Sequence, residues 1–149
     1  MDEIYNQKIL EFAGNIGRAG AMDDADATSE KHSKLCGSKV RVYLKVSDGV
    51  VSDFSHEVRA CALGQASSSI MARHIVGAPV DELRQARVDM LSMLKEGGEG
   101  PVGRFEDMRY LKPVKDYKAR HPSTMLTFDA VVDALDQIDV RDRADKATA

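Results

Sequence analysis

Hydrophobic and polar residues alternate one by one from Lys39, with Val40, Val42, Leu44 and Val46 interleaved with Arg41, Tyr43 and Lys45. A period of two predicts a half-buried strand. Asp48-Gly49 follows, suited to a type I′ hairpin turn whose two central positions need positive φ. The return strand runs from Val50-Val51 to about Val58, and its broken alternation around Ser52-Asp53-Phe54 predicts a bulge or a third short strand. On either side the period lengthens. Tyr5, Ile9, Phe12 and Ile16 predict a helix over 2–17, with Gly17 and Gly20 able to end it. A helix starting at or just after Cys61 and running to about Ile75 has unusually small early turns: Ala62, Gly64, Ala66, Ser67, Ser68 and Ser69. Small residues let a helix approach its neighbours closely. Beyond the Gly77-Ala78-Pro79 break, Pro79 suits the first position of a helix, and Val80, Leu83, Val88, Leu91 and Leu94 predict one or two more. Phe105, Met108 and Leu111 predict a short helical turn. Phe128, Val131, Val132, Leu135 and Ile138 predict a closing helix. Residues 21–30, acidic and without periodicity, read as an exposed loop, and 141–149 as a solvated tail after a single domain over 1–140.

Composition narrows the classes. The chain has 149 residues, 43% hydrophobic and 30% charged, and a net charge of −3, which fits a soluble globular domain large enough to bury a core. It has no Lys/Arg block to track phosphates and no apolar run near the roughly 20 residues of a membrane span. The acidic start lacks a signal-peptide core, so a cytoplasmic location is expected. There thiols stay reduced, and cysteines are reactive, metal-bound or simply buried.

There are two cysteines. Cys36 precedes the hairpin and Cys61 follows it, and a hairpin brings its two flanks together. Both thiols are therefore expected at one surface site. Cys61 at a helix start reads either as a thiolate favoured by the helix dipole or as a small buried hydrophobe. Two cysteines on one chain cannot build an all-cysteine tetrahedral site. The histidines at 32, 56, 74 and 121 show no ligand spacing. Gly97-Gly98-Glu99-Gly100 lacks the Lys-Ser/Thr ending of a phosphate loop, and no nucleophile elbow or zinc-protease helix occurs. The residues alone point to a thiol site without an evident catalytic machine.

Several segments taken together resemble the U-type iron–sulfur cluster assembly scaffolds, the family of IscU, SufU and the N-terminal domain of NifU. They are Asp26-Ala27-Thr28, Cys36-Gly37, Leu44-Lys45-Val46 with Asp48-Gly49, and Ala60-Cys61-Ala62 followed by Ala66-Ser67-Ser68-Ser69-Ile70-Met71. The resemblance runs from about Ile4 to Ile138, and the stretch Phe105 to Arg120 resembles the insertion of the SufU branch. It implies an α+β fold: a small antiparallel sheet of about three strands with four to six helices packed on it. It also implies a scaffold or sulfur acceptor that is not an enzyme, working with a cysteine desulfurase and cluster-acceptor proteins, with no nucleic-acid or membrane partner. The cofactor would be a transient iron–sulfur cluster, zinc or none, and the chain a candidate homodimer.

In this family the active centre uses three cysteines and an aspartate. The resemblance places the first two cysteines at Cys36 and Cys61, as metal ligands or sulfur acceptors, while the aspartate falls on Ser38 and the third cysteine on Ser123. Arg120 is retained. A serine hydroxyl is neutral and hard where a thiolate is anionic and soft, so a family-type metal site on one chain is expected to be weakened or absent. His121, two residues before Ser123, is either a substitute ligand or a surface histidine, with Pro122 restricting the backbone between them. Two copies pooling Cys36 and Cys61 would supply four thiolates. The rival expectations are a degenerate family member acting as a metal-free binding or regulatory module, and a thiol enzyme using Cys61 as nucleophile.

Overall fold

The computed structural model describes residues 6–34 and 37–148, the side chains of 147 and 148 excepted. Cys36 and the predicted helical residues 2–5 lie outside the described residues. Three strands form one antiparallel sheet, β1 (Ala27–His32), β2 (Lys39–Ser47) and β3 (Val50–Arg59), in the order β1-β2-β3. The helices are α1 (Gln7–Ala13), α2 (Ala62–His74), α3 (Val80–Glu96) and α4 (His121–Thr148), with 3₁₀ stretches at Gly103–Asp116 and Lys118–Arg120 between α3 and α4. This is the α+β architecture expected.

The hairpin follows its sequence closely. Asp48 (φ 52°) and Gly49 (φ 75°) both take the left-handed conformation the tight turn requires. The ladder steps from Lys45 opposite Asp53 to Val46 opposite Val51, leaving Ser52 as the extra residue of a bulge. Val40, Val42 and Leu44 of β2, with Val51 and Phe54 of β3, turn inward and are buried. Against this face pack α4, over β1 and β2, and α2, beside β3. The odd-numbered residues of β2 point to the other, helix-free face.

Helix α2 is the centre of the helical layer, in contact with α1, α4, β3 and the long 3₁₀ stretch. It is therefore buried on nearly all sides, from Leu63 and Gly64 through Ala66 to Ala72, which explains its small side chains. Ser67 Oγ donates back to the Gly64 carbonyl at 3.2 Å, and Ser69 Oγ donates to the Asn15 carbonyl at 3.2 Å. At α1 the Asn6 carboxamide oxygen accepts from the Ile9 amide at 3.0 Å, and the helix buries Ile9 and Phe12. Helix α3 is continuous, with Pro79 as its N-cap, one position before the place predicted, and Gly97 at φ 74° as its C-cap.

Four expectations are corrected. The first helix, expected to reach 17, ends at Ala13 with Gly14 as its C-cap. Residues 27–30 belong to β1, not to an exposed loop: Ala27 and Ser29 are buried, and Ser29 Oγ donates to Asp133 Oδ2 on α4 at 2.8 Å. The short turn expected around Phe105 is part of the 3₁₀ stretch Gly103–Asp116, with a break at Phe105 and Pro113 inside. The closing helix starts earlier and ends later than Phe128–Ile138, running over His121–Thr148. Pro122 sits in its first turn, where a missing amide costs little. Residues 141–146 are helical and exposed, and Arg141 Nη1 reaches back to the Asp26 carbonyl at 2.8 Å.

Candidate functional site

The end of β3 and the starts of α2 and α4 meet at one corner of the molecule. Cys61 is the N-cap of α2, with extended backbone (φ −65°, ψ 171°) and no capping bond from its side chain. Its thiol, partly exposed, donates to Ser123 Oγ at 3.4 Å. Ser38, in the turn that leads into β2, accepts from the Cys61 amide through its Oγ at 3.3 Å. Ser123 Oγ donates to the Arg120 carbonyl at 3.1 Å, and Thr124 Oγ1 donates to the same oxygen at 2.8 Å. Ser38, Ser123 and Thr124 are buried. A partly exposed thiol thus sits among hydroxyls at the start of a helix.

Gly64 sets how closely the two helices approach. A Cβ there would lie 2.8 Å from Ala60 Cβ and 3.1 Å from the Ser123 carbonyl oxygen. Glycine lets α2 and α4 close until Ser123 reaches the thiol.

Of the residues singled out from sequence, the structure brings together Ser38, Cys61 and Ser123, with Arg120 contributing its carbonyl. His121 is turned away. It is buried, and its Nε2 lies 3.0 Å from the Val114 carbonyl and 3.1 Å from that of Lys115, tying the start of α4 to the 3₁₀ stretch. It is thus held as a structural residue, not as a surface histidine. The shared position expected for Cys36 lies outside the described residues. Thr124 escaped the sequence reading, since an isolated threonine beside a helix start carries no signal of its own. Gly64 was legible only as one of several small residues.

The donor chemistry tests the metal. A tetrahedral zinc or iron–sulfur site takes thiolates, imidazoles or carboxylates. The gathered described residues offer one thiol and two neutral hydroxyls, and no group of three His, Cys, Asp or Glu among the described residues could hold an ion. A resident metal on these residues does not fit.

The fold is a small α+β domain with a cysteine at the N-cap position of the helix after its hairpin. The NifU-like N terminal domain model matches residues 4–124, a span containing Ser38, Cys61 and Ser123. The chain belongs to that family. It is 30% identical over 135 residues to the iron-sulfur cluster assembly scaffold protein IscU of Thermotoga maritima, covering 91% of this chain and 94% of that one. It is 24% identical over 134 residues to the zinc-dependent sulfurtransferase SufU of Bacillus subtilis, covering 88% of each. Among solved structures, a nitrogen-fixing NifU-like protein (N-terminal) from Brucella abortus superimposes with a TM-score of 0.91 at 64% identity, over 93% of this chain and 96% of that one. A scaffold role in iron–sulfur cluster assembly is what these relatives support, and nothing in them favours a metal-free binding module. No helix among the described residues is long and apolar enough to cross a membrane.

Proposed function

We propose that this chain accepts sulfur on Cys61 from a cysteine desulfurase and presents it for iron–sulfur cluster assembly. The observation that carries this is the partly exposed Cys61 thiol at the start of α2, with the Ser123 hydroxyl 3.4 Å away and Ser38 holding its backbone amide. In the transfer, the Cys61 thiolate attacks the outer sulfur of a persulfide on the desulfurase. The Cys61 sulfur–sulfur bond forms as the donor's breaks, and the desulfurase leaves as a thiolate with no net oxidation. Ser38 anchors the backbone behind the nucleophile, and Ser123 supplies a polar contact to its sulfur.

In this reading the chain is an acceptor and scaffold rather than a catalyst. Sulfur and cluster are cargo, passed on to cluster-acceptor proteins in the cytoplasm. With one thiol among the described donors, a cluster would draw on Cys36 as well, and two copies of the chain would together supply four thiolates. The scaffold names of its relatives support the reading.

The test is direct. The full chain is incubated with a cysteine desulfurase and cysteine, and the Cys61 peptide is examined by mass spectrometry. The expected result is the mass increment of one sulfur on Cys61, absent in Cys61→Ala. A desulfurase that turns over while Cys61 stays unmodified would refute the proposal.

A further inference from the structure

The helix-free face of the sheet carries its charges in rows set by register. In one row Arg41 stands between Glu30 of β1 and Glu57 of β3. In that row Arg41 Nη2 lies 3.0 Å from Glu30 Oε1, and Glu57 accepts from the Tyr43 hydroxyl. The next row toward Cys61 is His32, Lys39 and Arg59, with Lys39 directly opposite both others. All three are exposed, as is Lys34 just beyond. No side chain of the four makes an ion pair or hydrogen bond among the described residues, although the chain as a whole carries a net charge of −3. Lys39 and Arg59 are cations directly across the ladder from each other, which destabilises the pairing, so this pair works against the sheet that carries it.

Its position is the second observation. Lys39 adjoins Ser38, and Arg59 lies two residues from Cys61, within about 7 Å of chain even fully extended. A shallow groove of about 300 Å³ runs over this face, lined by three cations, Lys39, Arg41 and Arg59, and by Glu30, Glu57 and Val58.

We propose that the row His32–Lys39–Arg59, with Lys34, is a docking surface for an acidic segment of a partner protein that exchanges sulfur or cluster at Cys61. The partner's role rests on the proposed function; the acidic chemistry of its docking segment rests on the charges alone. Complementary carboxylates would relieve the repulsion within the row and steer the partner to the thiol. The contact would weaken with salt, since exposed charges are screened over about 8 Å at physiological ionic strength.

The full chain is titrated with a fluorescent octaglutamate peptide at low and at physiological salt. The expected result is salt-sensitive binding that shifts the amide resonances of residues 32, 39 and 59. Lys39→Gln with Arg59→Gln should weaken it about tenfold, the loss of two exposed ion pairs near the top of their usual range. Arg41→Gln should weaken it less than about twofold, because Arg41 is already paired. Lys39→Arg with Arg59→Lys keeps both charges and should retain binding, which preserves the test if the neutral variant folds poorly. Unweakened binding in a folded neutral variant would overturn the proposal. So would an oligothymidylate of equal charge that binds as tightly as the peptide, since the row would then be a general polyanion surface. The same neutral variant should slow desulfurase-driven persulfidation of Cys61. If wild-type Cys61 takes no sulfur, the proposed function fails, while the peptide titration still decides the surface.

Discussion

The two ends of the β2–β3 hairpin are satisfied in different ways. At the turn end, backbone meets backbone: the Val80 amide donates to the Gly49 carbonyl at 2.9 Å, the Val51 amide to Ala78 at 2.9 Å, and the Gly77 amide to Val51 at 2.8 Å. Any sequence able to adopt the conformation would make these bonds. At the thiol end the bonds run through side chains, from the Cys61 amide to the Ser38 hydroxyl and from the Cys61 thiol through Ser123 to the Arg120 carbonyl. There, residue identity is the chemistry. One end holds the hairpin; the other presents a thiol, beside a row of unmatched cations.

The largest expected effect is at the thiol end. Ser38→Asp together with Ser123→Cys would place a carboxylate and a second thiol where the hydroxyls stand, giving the site three anionic donors. Zinc content, measured by elemental analysis after incubation and desalting, should rise from substoichiometric to about one ion per chain, as expected when thiolates replace hydroxyls. Equal zinc in wild type and variant would break the comparison, showing that donor identity is not what limits metal at this end.

Two glycine substitutions sharpen it further. Gly64→Ala puts a methyl group 3.1 Å from the Ser123 carbonyl and 2.8 Å from Ala60 Cβ. It should cost about 1–3 kcal/mol in denaturant unfolding, as overpacking does, and should also slow sulfur transfer to Cys61 by moving Ser123 off the thiol. Gly49→Ala forces a side chain to φ 75°, although nothing lies within 4 Å of its Cβ. About 1 kcal/mol of backbone strain should follow, with sulfur transfer unchanged. Transfer that fell equally in both variants would mean that the two ends are not separable.

What the sequence made legible follows the same division. Period-two alternation and Asp48-Gly49 located the hairpin, because turn and pleat each demand particular residue types. The start of α2 at Cys61 was equally plain. Strand β1 was hidden: its inward residues are Ala27 and Ser29, too small and polar to stand out, and it becomes a strand by pairing with β2 and tucking Ser29 against Asp133 of α4. The 3₁₀ stretch was obscured by Pro113 and by a period of three rather than 3.6. The gathering of Ser38, Cys61 and Ser123 was expected from family resemblance, not from periodicity, for no local rule joins α4 to the hairpin. The cationic row needed register, since Lys39 and Arg59 look like ordinary outward residues until they are seen opposite each other.

The smallest expected effect lies between the two ends. His56, on β3, faces inward and is fully buried; its Nε2 lies 2.8 Å from the Gly17 carbonyl, and Nδ1 has no partner among the described residues. Alongside, the Gly20 amide donates to the His56 carbonyl and the His56 amide to that of Arg18, so the ring fastens the segment after α1 to the sheet. Burial, only partly offset by the Gly17 contact, holds the imidazole below its ordinary value near 6.5. The unfolded chain therefore binds a proton as the pH drops below about 6.5, while the folded chain still refuses one. The neutral ring's contribution to stability is complete above that pH and is lost progressively as pH falls toward the lower folded value. His56→Gln keeps a donor for Gly17 but cannot titrate. Urea midpoints should place wild type above the variant at pH 8, with the gap closing between pH 6.5 and 5. A gap that stays constant over that range would show that His56 does not remain neutral in the folded chain.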